Sequence, residues 1–228
     1  MWPRYRLSRR KQIIEEHFDC GSDEPDWAPR FNIAPTQPVP VIRQNPKPVR
    51  ELSLMRWGLI PSWAKDSSAA ASMINARAET AATKPCVPRC AEIPQTAFTS
   101  GCERERPNGL TVSRSIRANC SGFAGLWDGW KDPSGQWVKS CSILTTTPNA
   151  VTSAVHDRMP VILDPDAYDL WLDPGMNDVS AASELLKPCD ARLMRCYPVS
   201  TRINSVVNDD EGCSAPVELA EIQDRLFS

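Results

Sequence analysis

The hydrophobic and polar pattern of three stretches of the chain predicts β-strands. Residues 49–57 alternate up to Trp57, and residues 193–199 predict a further strand near the C-terminal end. Residues 123–146 contain an apolar run, a turn rich in Gly, Pro, Asp and Ser, and a second apolar run, which together predict a β-hairpin. These stretches predict a mostly antiparallel sheet.

Four other segments carry the periodicity or the end signals of helices. Ser8 can cap a helix over residues 7–18, and an Asp-Pro pair opens a helix over residues 164–172, since Pro is favoured at the first helical position. Further short helices are predicted at residues 180–186 and 216–227. Short helices beside an antiparallel sheet indicate an α+β fold, which we expect to form one domain over the whole chain.

Two segments match neither a central strand nor a helix. Residues 30–42 contain three prolines and therefore predict an edge strand or a rigid loop wall, because proline cannot donate a hydrogen bond to a sheet. Residues 85–121 lack alternation and helical periodicity, and we expect this segment to be irregular or disordered.

The composition excludes several classes of protein and of site. A net charge of −2 gives no overall attraction to nucleic acid or membrane, so an anion site has to come from local clustering. The nine cysteines have no CxxC pair and there are only two histidines, which argues against zinc and for free thiols in a reducing cytoplasm. No transmembrane run or signal peptide is predicted. We expect no metal, no cofactor and a cytoplasmic location, associated with the nucleoid if the source is bacterial.

The polar stretch Asn75-Ala76-Arg77-Ala78-Glu79 is the first candidate site. At strand spacing Asn75, Arg77 and Glu79 point to one face, and at helical spacing Asn75 and Glu79 still share a face. The stretch predicts either a solvated strand edge with a structural Arg–Glu pair or a polar floor for an anionic ligand.

A second candidate site is His156-Asp157-Arg158, because a histidine with a neighbouring Asp and Arg can transfer protons near neutral pH and hold a phosphate. The alternative is a structural histidine in a turn. Trp57 and Trp63 flank a Gly/Pro turn and are predicted either to pack in the core or to form an aromatic shelf. Arginines with aromatic rings suit a single-stranded nucleic-acid groove or a phosphorylated small molecule.

Seven segments, in order along the chain, resemble the SRAP family, the SOS-response-associated peptidases or abasic-site-processing proteins. Together they span the chain except for about residues 85–121. The segments are Arg4-Tyr5-Arg6, Asn32-Ile33-Ala34-Pro35-Thr36, Trp57-Gly58-Leu59-Ile60-Pro61-Ser62-Trp63, Asn75-Ala76-Arg77-Ala78-Glu79, Phe123-Ala124-Gly125-Leu126-Trp127, His156-Asp157-Arg158-Met159-Pro160 and Ser200-Thr201-Arg202-Ile203-Asn204.

The resemblance implies a monomeric SRAP domain with a barrel-like core that binds single-stranded DNA at an abasic site. In the family, the Cys after the initiator Met attacks the sugar aldehyde through its α-amine and closes a thiazolidine through its thiol, giving a covalent crosslink. The resemblance implies catalytic roles for two residues and DNA contacts for five. The catalytic pair is Asn75 and His156, and the DNA contacts are Arg4, Trp57, Trp63, Arg77 and Arg158.

The sequence departs from the family at two catalytic positions. Trp2 stands where the family has the nucleophilic Cys, and Ser100 stands where its Pro-Ala-Asp-Gly-Phe-Tyr-Glu-Trp motif has Glu. Beside the first of these, Pro3 stands where the family has Gly. Dropping one base from codons for Ala-Asp-Gly-Phe-Tyr-Glu-Trp gives Gln-Thr-Ala-Phe-Thr-Ser-Gly, the sequence of residues 95–101. We therefore hypothesise a reading frame shifted from about Gln95 and restored near Gly122, and a similar local slip at Trp2-Pro3.

Three functions remain open on these residues. The first is abasic-site capture in single-stranded DNA with an impaired catalytic centre. The second is a non-catalytic single-stranded DNA-binding module. The third is a thiol autopeptidase, which also requires the missing Cys. In all three, we expect the altered segment after residue 94 to lack the family's native strands and to weaken the fold.

Overall fold

Two β-sheets and a few short helices make up the fold. A computed structural model describes residues 4–44, 49–81, 89–101, 110–115, 120–175 and 179–217. The strands in these ranges are β1 (Arg4–Leu7), β2 (Cys20–Gly21), β3 (Arg30–Ile33), β4 (Pro38–Gln44), β5 (Arg50–Trp57), β6 (Asn75–Arg77), β7 (Arg89–Gln95), β8 (Ala97–Gly101), β9 (Leu110–Ser115), β10 (Ser121–Lys131), β11 (Trp137–Thr146), β12 (Met159–Pro160), β13 (Ile162–Leu163) and β14 (Met194–Pro198). The helices are α1 (Lys11–Phe18), α2 (Ala78–Ala81), α3 (Tyr168–Leu172) and α4 (Val179–Leu185), with 3-10 turns at Ser68–Ser72, Pro165–Ala167, Ala191–Leu193, Thr201–Asn204 and Glu211–Cys213.

The larger sheet closes into a barrel. Its strands follow the order β12-β11-β10-β7-β4-β5-β2, and β11 also pairs with β5, so five strands form a ring. The neighbours around the ring are antiparallel except for β11 and β5, which run parallel and align Cys141 with Trp57. The smaller sheet has the order β14-β9-β8-β1-β3. The α+β prediction is therefore confirmed.

One hydrophobic core joins the two sheets. Tyr5 of the small sheet makes edge-to-face contacts with Trp57 and Phe123 of the barrel, at centroid distances of 5.4 and 5.9 Å. All three side chains are almost fully buried. Aromatic pairs at these distances add stability beyond the area that they bury.

The N-terminal segment differs from its prediction. Residues 4–7 form strand β1, which pairs with β3 and β8, and the helix begins only at Lys11. Ser8 does not cap it, because its backbone N–H and hydroxyl both lie at hydrogen-bond distance from the Thr96 hydroxyl, 3.1 and 3.2 Å. The alternating burial of Tyr5 and Leu7 is the period of a strand, and pairing on both sides outweighs the local helix signal.

Strand β4 is central in the barrel, so the edge-strand prediction for residues 30–42 is wrong in that part. Pro38 and Pro40 both lie opposite residues of β5, whereas pairing with β7 occurs at Ile42, beyond both prolines. The side of β4 that faces β7 therefore needs no N–H donor from either proline.

The prediction of an irregular segment at residues 85–121 is wrong for the residues that the structure describes there, since β7, β8 and β9 all lie in it. Strand β7 shows no alternation because both of its faces are covered: Ala91, Glu92, Ile93 and Gln95 are all buried. Residues 82–88, 102–109 and 116–119 lie outside the described ranges, as does the predicted C-terminal helix beyond residue 217.

The helix predictions near the C-terminal half agree better with the structure. The Asp164 side chain accepts a hydrogen bond from the Asp166 N–H, and the 3-10 turn Pro165–Ala167 leads into α3. Helix α4 corresponds to the segment predicted at residues 180–186 and ends one residue before its predicted end. None of the helices in the described part of the chain is long and apolar enough to cross a membrane.

Candidate functional site

The C-terminal end of β11 brings the two candidate sites together. Strand β6 pairs with it in parallel, aligning Asn75 with Ile143 and Arg77 with Thr145. On its other side β12 pairs antiparallel, aligning Pro160 with Thr145. The two polar motifs, about eighty residues apart in the chain, therefore flank the same strand end.

Arg158 and Glu79 form an ion pair that links these motifs. The Arg158 Nη1 and Nη2 atoms donate to Oε1 and Oε2 of Glu79 at 2.7 and 2.8 Å. Nη2 also donates to the carbonyl oxygen of Thr145, and the Thr145 hydroxyl oxygen lies 3.3 Å from the same nitrogen. Hydrogen bonds from Arg158 lower the pKa of Glu79, with burial opposing them.

The expectation that Asn75, Arg77 and Glu79 share one strand face needs correction. Strand β6 ends at Arg77, and α2 begins at Ala78, so Glu79 turns away from the strand. The predicted Arg–Glu pair exists, but the arginine is Arg158. Arg77 is exposed and makes no ion pair within the described ranges.

Asn75 presents an unused acceptor. Its Oδ1 atom is buried and has no hydrogen-bond partner among the described residues. A buried polar atom without a partner costs about 1–3 kcal/mol, so this oxygen is a candidate acceptor for a donor group of a ligand.

The hydrogen-bond partner of His156 Nδ1 depends on whether this nitrogen carries a proton. Its Nδ1 atom lies 3.0 Å from the Arg158 backbone N–H and 2.7 Å from Oδ1 of Asp157. Neutral Nδ1 can accept the Arg158 hydrogen, whereas protonated Nδ1 can donate to the Asp157 carboxylate. The arrangement thus couples a proton on His156 to the backbone of Arg158.

The two tryptophans occupy different environments. Trp57 is 1% exposed, and its indole N–H donates to the Ile74 carbonyl at 2.9 Å, so the prediction of a stacking surface is wrong for Trp57. Trp63 is 70% exposed. Its turn is held at both sides, because the Ser62 N–H donates to Asp128 at 2.7 Å and the Trp130 indole donates to the Ala64 carbonyl at 2.7 Å. A rigid turn therefore presents an exposed ring.

Arg4 lies in β1, where it pairs in register with Thr99 of β8. Its guanidinium donates to the Asn204 carbonyl at 3.4 Å, and burial lowers its pKa. The N-terminal end of β1 and residue 100 consequently lie at the same end of the small sheet. Trp2 and the side chain of Ser100 are outside the described part of the structure.

Comparison with known proteins identifies the fold and the family. The family model described as "SOS response associated peptidase (SRAP)" matches residues 1–206. The chain belongs to the SRAP family. Among the relatives of this SRAP chain is the abasic site processing protein YoqW of Bacillus subtilis, 37% identical over 210 residues that cover 89% of this chain and 93% of YoqW. The rat abasic site processing protein HMCES is 28% identical and aligns over 86% of this chain and 67% of its own length.

Solved structures share the SRAP fold seen here. A protein from Bacteroides thetaiotaomicron superposes with a TM-score of 0.78 at 22% identity, covering 94% of this chain and 99% of that one. A protein from Bordetella bronchiseptica gives a TM-score of 0.72 at 24% identity, covering 87% and 99%.

Four of the described thiols of this SRAP chain are poor nucleophiles. Burial raises the pKa of Cys20 and Cys120 to about 12 and that of Cys90 and Cys189 to about 11. Thiolate is the reactive form, so these groups are inert near neutral pH. In the ranges described, no three His, Cys, Asp or Glu side chains cluster as a metal site.

Sequence reasoning missed Thr145 and Asp128. Thr145 fixes Arg158, and Asp128 fixes the turn that carries Trp63. No local sequence pattern distinguishes Thr145. Asp128 is the one acidic residue in an otherwise apolar and aromatic strand segment, and this could have indicated a specific role for its carboxylate.

Proposed function

We propose that this SRAP chain binds abasic sites in single-stranded DNA as part of a DNA-damage response. The observation that carries the proposal is the meeting of Asn75, Arg77, His156 and Arg158 around the end of β11. Relatives that carry the name abasic site processing protein support the same reading.

Each group has a chemical role in such a site. Arg77 is exposed and can contact a phosphate, and the exposed ring of Trp63 can stack on a base beside the lesion. The free acceptor of Asn75 and the imidazole of His156 can orient and protonate the groups formed when an amine adds to a sugar aldehyde. Arg4 lies on the strand that leads to the N-terminus and is proposed to contact the DNA there.

Covalent capture is proposed to be impaired. Trp2 supplies no thiol at the position of the family's Cys, and Ser100 supplies no carboxylate at the position of its Glu. Because the thiols of Cys20, Cys90, Cys120 and Cys189 have raised pKa values, none of these four replaces the missing nucleophile. The chain is therefore proposed to bind abasic DNA without closing a thiazolidine.

The environment of Gln95 supports the hypothesis of a shifted frame. Gln95 is 1% exposed, and both polar atoms of its side chain lack a hydrogen-bond partner in the described ranges. The restored frame places Ala there, which has no polar atom to bury, but it also places Asp at the buried position of Thr96. It also retains Phe98, which is fully buried in β8. Sequencing the gene across this segment tests the hypothesis. Clean reads that encode residues 95–121 in frame, as they stand in the amino-acid sequence, would exclude a reading error.

The second candidate is a non-catalytic single-stranded DNA-binding module, favoured by the loss of both catalytic groups. Binding of abasic and intact oligonucleotides separates the two. We expect tighter binding to abasic DNA and no thiazolidine band after denaturation. Equal, salt-sensitive binding to both oligonucleotides supports the module instead, and a surviving band with abasic DNA alone indicates a Schiff base from another amine. Binding to neither oligonucleotide contradicts both functions.

A further inference from the structure

We propose that Glu79 occupies the phosphate-binding edge of Arg158 when DNA is absent and that a DNA phosphate displaces it. Glu79 then sets the affinity of the site for single-stranded DNA. The inference rests on the proposed function and assigns a role to the one charged residue of the Asn75–Glu79 stretch that the proposed function leaves unused.

The hydrogen bonds of Arg158 leave one edge of its guanidinium for a two-pronged phosphate contact. Its Nε atom is buried and has no partner among the described residues, and Nη2 is held from one side by Thr145. The remaining edge, formed by Nη1 and Nη2, carries both oxygens of Glu79. A guanidinium binds carboxylate and phosphate with the same two-pronged geometry. A phosphate that makes this contact must therefore take the place of the carboxylate.

The same contacts show which partner moves. Arg158 is anchored by Thr145 and, through its backbone N–H, by His156. Glu79 is about half exposed, at 49%, and lies in the first turn of a four-residue helix. Its carboxylate makes no side-chain hydrogen bond other than those to Arg158 within the described ranges. It can rotate into water while the arginine stays in position.

The ion pair is partly open to water, since the Glu79 side chain is 49% exposed and that of Arg158 is 20% exposed. Because the contact is two-pronged, we take the upper end of the range for solvent-exposed pairs, so breaking it reduces DNA affinity by a factor of about five. Removing the carboxylate also removes its repulsion of the phosphate. We expect Glu79→Gln to bind an abasic single-stranded oligonucleotide about three- to fivefold more tightly than the unsubstituted protein.

A double-mutant cycle with Arg158→Gln tests whether the gain passes through Arg158. Arg158→Gln alone should weaken binding, and adding Glu79→Gln to it should give no gain. Asp157→Asn is the charge control, because it removes a neighbouring exposed carboxylate that does not pair with Arg158. Its effect should be less than half that of Glu79→Gln. Thermal unfolding checks that every variant is folded.

Three outcomes overturn the inference. Glu79→Gln can bind with unchanged or lower affinity, which makes the ion pair purely structural. It can give the same gain with and without Arg158, which makes the effect one of general charge. If the unsubstituted protein and all variants fail to bind either oligonucleotide, the proposed function fails as well, whereas the first two outcomes leave that function standing.

Discussion

Replacing Gln95 with Met is predicted to stabilise the protein. Gln95 lies in β7 with both side-chain polar atoms buried and unpaired among the described residues. Met has a similar volume and a flexible apolar chain, so it fills the same space without an unsatisfied group. The substitution therefore isolates the polarity of this position from its packing.

The expected gain follows from two unpaired atoms. Each buried polar group without a partner costs about 1–3 kcal/mol, and some of this cost is relieved by relaxation, so we expect a net gain of about 2 kcal/mol. For a chain of this length such a gain raises the melting temperature by about 4–8 °C.

Urea unfolding followed by tryptophan fluorescence measures this gain as a higher midpoint with an unchanged slope. Gln136→Met is the matched control, because Gln136 is exposed in the turn between β10 and β11 and should change the stability by less than about 0.5 kcal/mol. A loss of stability in Gln95→Met relative to this control would refute the reasoning, since it would mean that the Gln95 amide is satisfied in solution.

Three further predictions concern single side chains. Glu92 is fully buried, which raises its pKa above the usual 4.5, so ionisation costs folding free energy as the pH rises above that value. Glu92→Gln should therefore be more stable than the unsubstituted protein at pH 7, with the difference vanishing near pH 4 in unfolding experiments; an equal difference at both pH values contradicts this. Trp63→Ala should weaken binding of single-stranded DNA by about 1–3 kcal/mol, measured by fluorescence anisotropy, and leave the melting temperature unchanged; an unchanged affinity excludes stacking. Arg77→Gln should reduce the slope of log K against log salt by about 0.7, the value for one phosphate contact on a single strand, and an unchanged slope removes Arg77 from the DNA interface.

Local patterns predicted the regular parts of the barrel well. Strand β5 and the β10–β11 hairpin follow clear alternation and apolar runs, and Asp164 caps its helix as its sequence predicts. The alternation in β5 could also have predicted which of its side chains are buried. Met55 and Trp57 lie two residues apart and are both buried, so the strand period could have placed Trp57 inside.

Other features depend on contacts between distant residues. Strand β7 is buried on both faces, and this burial erases the alternation by which strands are recognised. The Glu79–Arg158 pair joins residues whose neighbouring strands meet only through β11. No local period encodes such a contact, which is why sequence reasoning assigned Arg158 to a phosphate and left its carboxylate partner unassigned.

The most direct test of the central claim restores the two missing catalytic groups. The variant Trp2→Cys, Pro3→Gly, Ser100→Glu is incubated with abasic and intact single-stranded oligonucleotides and then denatured. The account predicts a protein–DNA band with abasic DNA alone, and loss of that band when Asn75→Ala is added. A folded variant that binds abasic DNA yet forms no band would contradict it.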